Sequence, residues 1–182
     1  MKLYAALLLA FSILALPVSA QWREDGKVVP DTSWSKSDGD FGAMLDFTDK
    51  PDELYAAWEK AGAAVHWTHT TTAVRGIPIV AVVFFTGCSQ DAKGKCNLVG
   101  RFTTITPSGK PYGDPIDADV WVGLPPPTSK DLQLSHSHMG LVIDPGDELG
   151  VYSVRLELTD RVSNKKMNLE RQFTAVEAKK TK

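Results

Sequence analysis

The chain contains only two cysteines, Cys88 and Cys96, among its 182 residues. It has no marked excess of charge, since 20 Lys and Arg side chains oppose 22 Asp and Glu side chains. This balance gives no excess of positive charge of the kind that nucleic-acid-binding proteins carry. Gly-x-Ser-x-Gly, the phosphate-binding glycine loop and His-Glu-x-x-His are all absent. We therefore expect a protein that is not an enzyme and does not bind nucleic acid.

The longest apolar run of the sequence lies at its N-terminus. Lys2 is followed by an apolar stretch over residues 3–17 and by small residues that end at Ala20. One positive charge, a short apolar stretch and small residues before a cut are typical of a secretory signal peptide. The run is shorter than the roughly 20 apolar residues that a membrane-spanning helix needs. We predict cleavage of residues 1–20 and a periplasmic or secreted protein without a membrane span.

The remaining 162 residues (182 − 20) are enough for one domain with a sizeable core. Residues 21–42 are rich in Asp, Ser, Lys and Gly, which predicts an irregular N-terminal arm held to the domain by its tryptophans. Residues 43–178 are predicted to form a single β-rich domain. Residues 179–182 form a short basic tail.

One helix is predicted near the start of this domain. Residues 48–53 offer capping side chains, a proline suited to a first helical turn, and acids where the helix dipole favours them. After Gly62 the pattern changes to seven or so short β-favouring segments separated by turn signals, which predicts an antiparallel β-sandwich. The segments that we expect to form strands are 43–47 before the helix and, after it, 64–74, 77–86, 97–106, 117–122, 132–143, 152–159 and 169–176.

The two cysteines predict one disulfide, because an even number of nearby cysteines in an exported chain is typical of a structural bridge. The seven residues between Cys88 and Cys96 are mostly polar and include Gly94. We interpret them as the tip of a β-hairpin that the disulfide closes. The spacing is too wide for a Cys-x-x-Cys redox pair.

The region from Asp144 to Val154 has a turn with glycine that leads into Tyr-x-Val, and Phe173 and Val176 follow in the last predicted strand. This pattern resembles the last two strands of immunoglobulin-like and fibronectin-type domains of exported bacterial proteins of unassigned function. The resemblance covers roughly the final forty residues and implies an immunoglobulin-like antiparallel β-sandwich. The chain departs from antibody domains, because its cysteines are expected to close one hairpin and not to join two sheets.

All four histidines lie in two short segments. In an extended strand His136 and His138 would share a face, and Met139 could add a soft ligand for copper. His66 and His69 are three residues apart and would lie on opposite faces of a regular strand. The sequence therefore leaves open a periplasmic copper- or zinc-binding protein, although ordinary strand histidines explain the same pattern. The change of hydrophobic phase between Leu134 and Met139 also predicts a bulge there.

Five tryptophans could supply an aromatic platform for a partner. Trp121 shares a predicted face with Asp117 and Asp119, so we expect it to be the most exposed of the five. The interpretation that the sequence favours is an exported, non-enzymatic binding or structural module that contacts another envelope protein or a ligand and needs no cofactor. Metal binding through His136 and His138 is the alternative.

Overall fold

The structure is a computed structural model that describes residues 23–24, 27–60, 65–127 and 132–178. The predicted signal peptide, its cleavage site, Trp22 and the basic tail lie outside the described residues. Within the described ranges no helix is long and apolar enough to cross a membrane.

The described chain is mainly β, with one helix, α1 (Pro51–Lys60). The strands before and just after the helix are β1 (Arg23–Glu24), β2 (Lys27–Val28), β3 (Ser35–Asp38), β4 (Phe41–Thr48), β5 (Thr72–Val74) and β6 (Ile79–Thr86). The later strands are β7 (Asn97–Ile105), β8 (Ile116–Val122), β9 (Gln133–Leu134), β10 (Met139–Leu141), β11 (Gly150–Asp160) and β12 (Lys165–Val176).

Ten of these strands form two five-stranded sheets. Sheet I has the order β10-β6-β4-β3, and β9 pairs with β6 beside β10. Sheet II has the order β5-β12-β11-β7-β8. All pairings within these sheets are antiparallel except that of β5 with β12, which is parallel. β1 and β2 form a separate two-stranded hairpin.

The inner faces of the two sheets share one apolar core. The ring of Phe47 on β4 lies 5.4 Å from that of Phe173 on β12, edge to face. Along β11, Tyr152, Val154 and Leu156 are fully buried, as the alternation of the sequence predicts. The outer face of sheet II is polar, with exposed ion pairs such as Arg101–Asp117 and Arg155–Glu170.

Strand β6 is buried on both faces, as its nearly continuous apolar run predicts. Its inward side chains Val83 and Phe85 belong to the core between the sheets. Its outward side chains Val82 and Phe84 pack in a second cluster with Leu54 of α1 and with the half-buried aromatic rings on that side. The helix therefore covers the outer face of sheet I, and the molecule has three layers.

The N-terminal arm differs from the irregular segment that we expected over residues 21–42. Ser35–Asp38 pairs with Phe41–Met44 as an antiparallel hairpin, turned at Gly39 with a φ of 65°. Because β3 is an edge strand with mostly polar side chains, it lacks the apolar alternation that marks an inner strand. The sheet also begins before residue 43, since Phe41 is only 2% exposed.

Trp34 of this segment packs on a buried ion pair that joins β4 to β12. The guanidinium carbon of Arg171 lies 4.2 Å from the ring centre of Trp34, and Nη2 of Arg171 lies 3.0 Å from Oδ1 of Asp46. Trp67 donates its indole N–H to Oδ2 of the same carboxylate at 3.1 Å. Trp34 thus packs on a cation that both the carboxylate and the ring stabilise.

Two predicted strands are shorter than the sequence suggests. In the threonine-rich stretch 64–74, the structure describes residues 65–74, and among these only β5 (Thr72–Val74) is a strand. The predicted strand 132–143 is divided into β9 and β10. Ser135 still donates its N–H to Val83 O of β6 at 2.8 Å, but the next two residues turn to β8. There His136 N donates to Val120 O at 3.3 Å, and Ser137 Oγ donates to Asp119 O at 2.7 Å. The expected change of phase is therefore produced by a break in the strand.

At the end of the molecule that holds the β7–β8 turn, hydrogen bonds of Tyr112 join this turn to the β10–β11 connection. The Tyr112 hydroxyl lies 2.5 Å from Oδ2 of Asp147 and 2.8 Å from the carbonyl oxygen of Val142. Burial, followed by the hydrogen bond to the Asp147 carboxylate, raises the pKa of Tyr112 to about 12. The protonated phenol is therefore the form that the fold stabilises.

We expect this stabilisation to be complete below about pH 10, the pKa of an unfolded tyrosine, and to be lost as pH rises towards about 12. Tyr112→Phe should be less stable than the parent protein at pH 8, with the difference shrinking by pH 11.5. Urea unfolding at both pH values measures this. An unchanged difference at the two pH values would contradict the assignment.

Candidate functional site

The disulfide joins strand ends in two different sheets. Cys88 follows β6 of sheet I and Cys96 precedes β7 of sheet II, with an S–S distance of 2.10 Å. The predicted pairing of the cysteines is confirmed, but the predicted hairpin is wrong, because β6 and β7 do not pair with each other. The pattern of two strands with a short polar link is the same for a hairpin and for a crossing between sheets, so it did not distinguish them.

Four connections meet at this end of the molecule around a cleft of about 830 Å³. They are the β3–β4 turn, the β6–β7 loop, the segment after β8 and the beginning of β12. This volume lies in the usual range for ligand sites. The cleft is lined by Asp40, Phe41, residues 87–90, Gly94, Pro125, Pro126, Pro127 and Lys165.

The carboxylate of Asp160 fixes the β6–β7 loop to the β11–β12 turn. Asp160 is fully buried at the end of β11. Its Oδ2 accepts the Ser89 N–H at 2.8 Å and the Ser163 hydroxyl at 2.9 Å, and its Oδ1 accepts the Val162 N–H at 2.9 Å. One side chain therefore organises both loops.

The pKa of Asp160 shows the net effect of these bonds. Burial acts to raise it, but the hydrogen bonds from Ser89, Val162 and Ser163 outweigh burial and lower it below its ordinary value. The ionised form is the one that the fold stabilises, so this contribution is present above the unfolded pKa of about 4 and is lost as pH falls through the folded value.

Asp160→Asn removes the charge and replaces one acceptor oxygen by an amide group. We expect the free energy of unfolding at pH 7 to fall by about 2 kcal/mol, since a buried, charge-assisted hydrogen-bond set is broken. Urea unfolding measures the loss, and Asp114→Asn, at an exposed position, is the matched control. Equal stability of the two variants would show that Asp160 does not hold the loops.

A close backbone approach fixes the opposite wall of the cleft. A Cβ atom on Gly87 would lie 1.7 Å from the carbonyl oxygen of Asp40, and Gly87 has a φ of 69°. Only glycine fits this contact without displacing the backbone. Lys165 completes the wall, since its Nζ donates to the Asp38 carbonyl at 2.7 Å and lies 3.5 Å from the Asp38 carboxylate.

Trp121 positions the proline segment. Its indole N–H donates to the carbonyl oxygen of Pro125 at 2.8 Å. Its ring lies 5.5 Å from that of Phe85 and 4.3 Å from that of His136. Trp121 is half-buried and packs on the core, because a bulge opposite Leu98 and Val99 shifts the alternation of β8. The other tryptophans that the structure describes are half-buried as well, so the expectation that Trp121 is the most exposed stays a prediction. Contact of Trp121 with a partner remains a prediction.

The candidate metal ligands have different neighbours. His136 packs on Trp121, whereas His138 lies 5.4 Å from the ring of Tyr55, with Nδ1 3.2 Å from the Tyr55 hydroxyl oxygen. Met139 is buried in the core at 3% exposure. His66 and His69 are exposed. In the part of the chain that the structure describes, no group of three or more His, Cys, Asp or Glu side chains could hold a metal ion.

Metal binding through His136 and His138 stays a hypothesis that calorimetry can test. Residues 135–138 are not a regular strand, so strand geometry does not place His136 and His138 on one face. We expect titration of copper or zinc at pH 7.5 to give no more heat than in the His136→Ala, His138→Ala double variant. A stoichiometric heat that this variant lacks would revive the alternative.

The cleft residues other than the disulfide were not identified from the sequence. Neither Pro125–Pro127 nor Asp160 is among the site residues that the sequence predicts. The proline run was the one available signal, since three consecutive residues without N–H groups cannot belong to an inner strand.

Comparisons with known proteins add little to this geometry. No protein-family model matches the chain, and no curated protein matches it. Among solved structures it is similar to a family 123 glycoside hydrolase from Clostridium perfringens, with a TM-score of 0.40 and 12% sequence identity. That match covers 76% of this chain and 28% of the hydrolase. A likeness this distant supports no inference about activity.

Proposed function

We propose that the chain is an exported, non-enzymatic binding module that recognises another protein of the cell envelope through the cleft at the disulfide end. The observation that carries this proposal is the cleft of about 830 Å³, whose walls are fixed by a disulfide, by the Asp160 hydrogen bonds and by the Gly87–Asp40 contact. Fixed walls favour recognition, because little conformational entropy is lost when a partner binds.

An immunoglobulin-like sandwich is part of the proposal. The parallel pairing of β5 with the last strand supports it, as does the order β12-β11-β7-β8, which corresponds to strands G, F, C and C′ of variable-type domains. A hydrogen bond from the Tyr152 hydroxyl to the Glu148 carbonyl at 2.8 Å also supports it. A tyrosine near the start of the penultimate strand makes the same kind of bond in immunoglobulin domains.

In this arrangement the cleft lies at the end of the sandwich that carries the B–C and F–G loops. The β6–β7 loop corresponds to the B–C loop and the β11–β12 turn to the F–G loop, which contribute to antigen binding in antibody variable domains. The correspondence is an analogy of fold, and fold alone does not determine function.

Export and the absence of catalysis complete the proposal. The signal-peptide pattern of residues 1–20 and the Cys88–Cys96 bond both favour an oxidising compartment, the periplasm or the exterior. The sequence has no Gly-x-Ser-x-Gly, no phosphate-binding glycine loop and no His-Glu-x-x-His. A binding role needs only the shape and chemistry of the cleft.

Filling the cleft tests the proposal. Gln90 is exposed in the cleft wall, so Gln90→Trp should obstruct the cleft without disturbing the core. We expect the mature domain to capture a discrete partner from an envelope extract and Gln90→Trp to reduce that capture at least tenfold. Quantitative mass spectrometry of the captured material provides the measurement.

The matched control is Lys110→Trp. Lys110 is exposed in the β7–β8 turn, at the opposite end of the molecule, so it adds the same indole away from the cleft. This variant should capture the partner as well as the parent does. Equal capture by both variants, or loss only in Lys110→Trp, would overturn the assignment of the cleft.

A further inference from the structure

We propose that the cleft takes an extended peptide segment that carries an arginine or lysine side chain. This inference rests on the proposed function and specifies the chemistry of the partner. It follows from the unpaired charge in the cleft, from the proline wall and from the amide group at the rim.

The charge of the cleft is set by Asp40. Lys165 is paired with Asp38, since its Nζ donates to the Asp38 carbonyl oxygen and lies 3.5 Å from the Asp38 carboxylate. Among the described residues, no hydrogen bond or ion pair engages the carboxylate of Asp40, which lines the cleft and is exposed. The uncompensated charge inside the cleft is therefore negative and favours a cationic group.

Two other lysines at this end of the molecule lie outside the lining of the cleft. Lys93 and Lys95 lie beside Asp91 in the β6–β7 loop, and hydrogen bonds from their backbone N–H groups lower the pKa of that carboxyl, with the lysine charges adding to the effect. Neither lysine lines the cleft. Asp40 thus remains the charge that an entering ligand meets.

The proline wall matches the stem of a long basic side chain. Pro125, Pro126 and Pro127 present rings and no N–H group, so this wall offers apolar surface and no hydrogen-bond donor. Arginine and lysine carry three or four methylene groups that pack on apolar surface while their charged ends stay hydrated. The wall and Asp40 together suit such a side chain better than a small anion or a sugar.

Gln90 supplies the polar contact that a peptide backbone needs. Its amide group offers both an acceptor and two donors, and none of the hydrogen bonds among the described residues uses it. A peptide group likewise has one donor and one acceptor, so a single side chain can bind both. An extended segment therefore finds a backbone partner, an apolar wall and a countercharge in one cleft.

Amide chemical-shift titration of the folded mature domain tests this inference. The probes are three peptides, Ac-Gly-Ala-X-Ala-Gly-NH2, in which X is arginine, its neutral isostere citrulline, or glutamate. We expect the arginine peptide to shift amides of the cleft and to bind more weakly as salt is added. Asp40→Asn should weaken its binding about fivefold, the upper end for a partly exposed ion pair. Asp114→Asn, an exposed change outside the cleft, should leave it unaltered.

The outcomes separate this inference from the proposed function. Equal binding of the citrulline or glutamate peptide at the cleft would contradict the requirement for a basic side chain. The cleft would then remain a binding site for a peptide of other chemistry. Absence of cleft shifts with the arginine peptide, or shifts that Asp40→Asn does not affect, would overturn the inference. The capture experiment with Gln90→Trp would still decide whether the cleft binds a partner.

Discussion

The burial of strand β6 on both faces is the constraint on which the rest of the structure depends. Its inward side chains need sheet II, and its outward side chains need α1 and the aromatic rings around it. Because β4 and the β9 and β10 segments occupy its two edges, β6 has no edge free for β7. The chain must therefore leave sheet I after Thr86 and enter sheet II at Asn97. That crossing carries the disulfide and one wall of the cleft.

Several contacts at this end restrict the loop that crosses between the sheets. The Cys88–Cys96 bond limits the freedom of the crossing loop, and a loop of this length contributes about 2–3 kcal/mol on the chain-entropy model. Asp160 joins the loop to the β11–β12 turn, and Gly87 lets it approach Asp40. The cleft is thus a consequence of how the sheets connect, and its shape is maintained by contacts that do not themselves need a ligand.

The sequence predicts elements with strong local signals and misses relations between distant segments. The helix, the buried strand β6, the alternation of β11 and the pairing of the cysteines follow from residue patterns, and the structure confirms them. The sheet to which each strand belongs is decided by tertiary packing, so the supposed hairpin at Cys88–Cys96 was wrong. The role of Asp160 depends on loops that are 71 residues apart in sequence, and no local pattern records that contact.

The central claim is that the disulfide end of the molecule, and not another surface, meets a partner. Site-specific photocross-linking in the intact cell envelope tests it most directly, with a benzophenone side chain placed at position 126 in the cleft wall or at position 110 in the opposite turn. We expect a discrete cross-linked adduct from position 126 and none from position 110. Adducts of equal yield from both positions, or from position 110 alone, would contradict it.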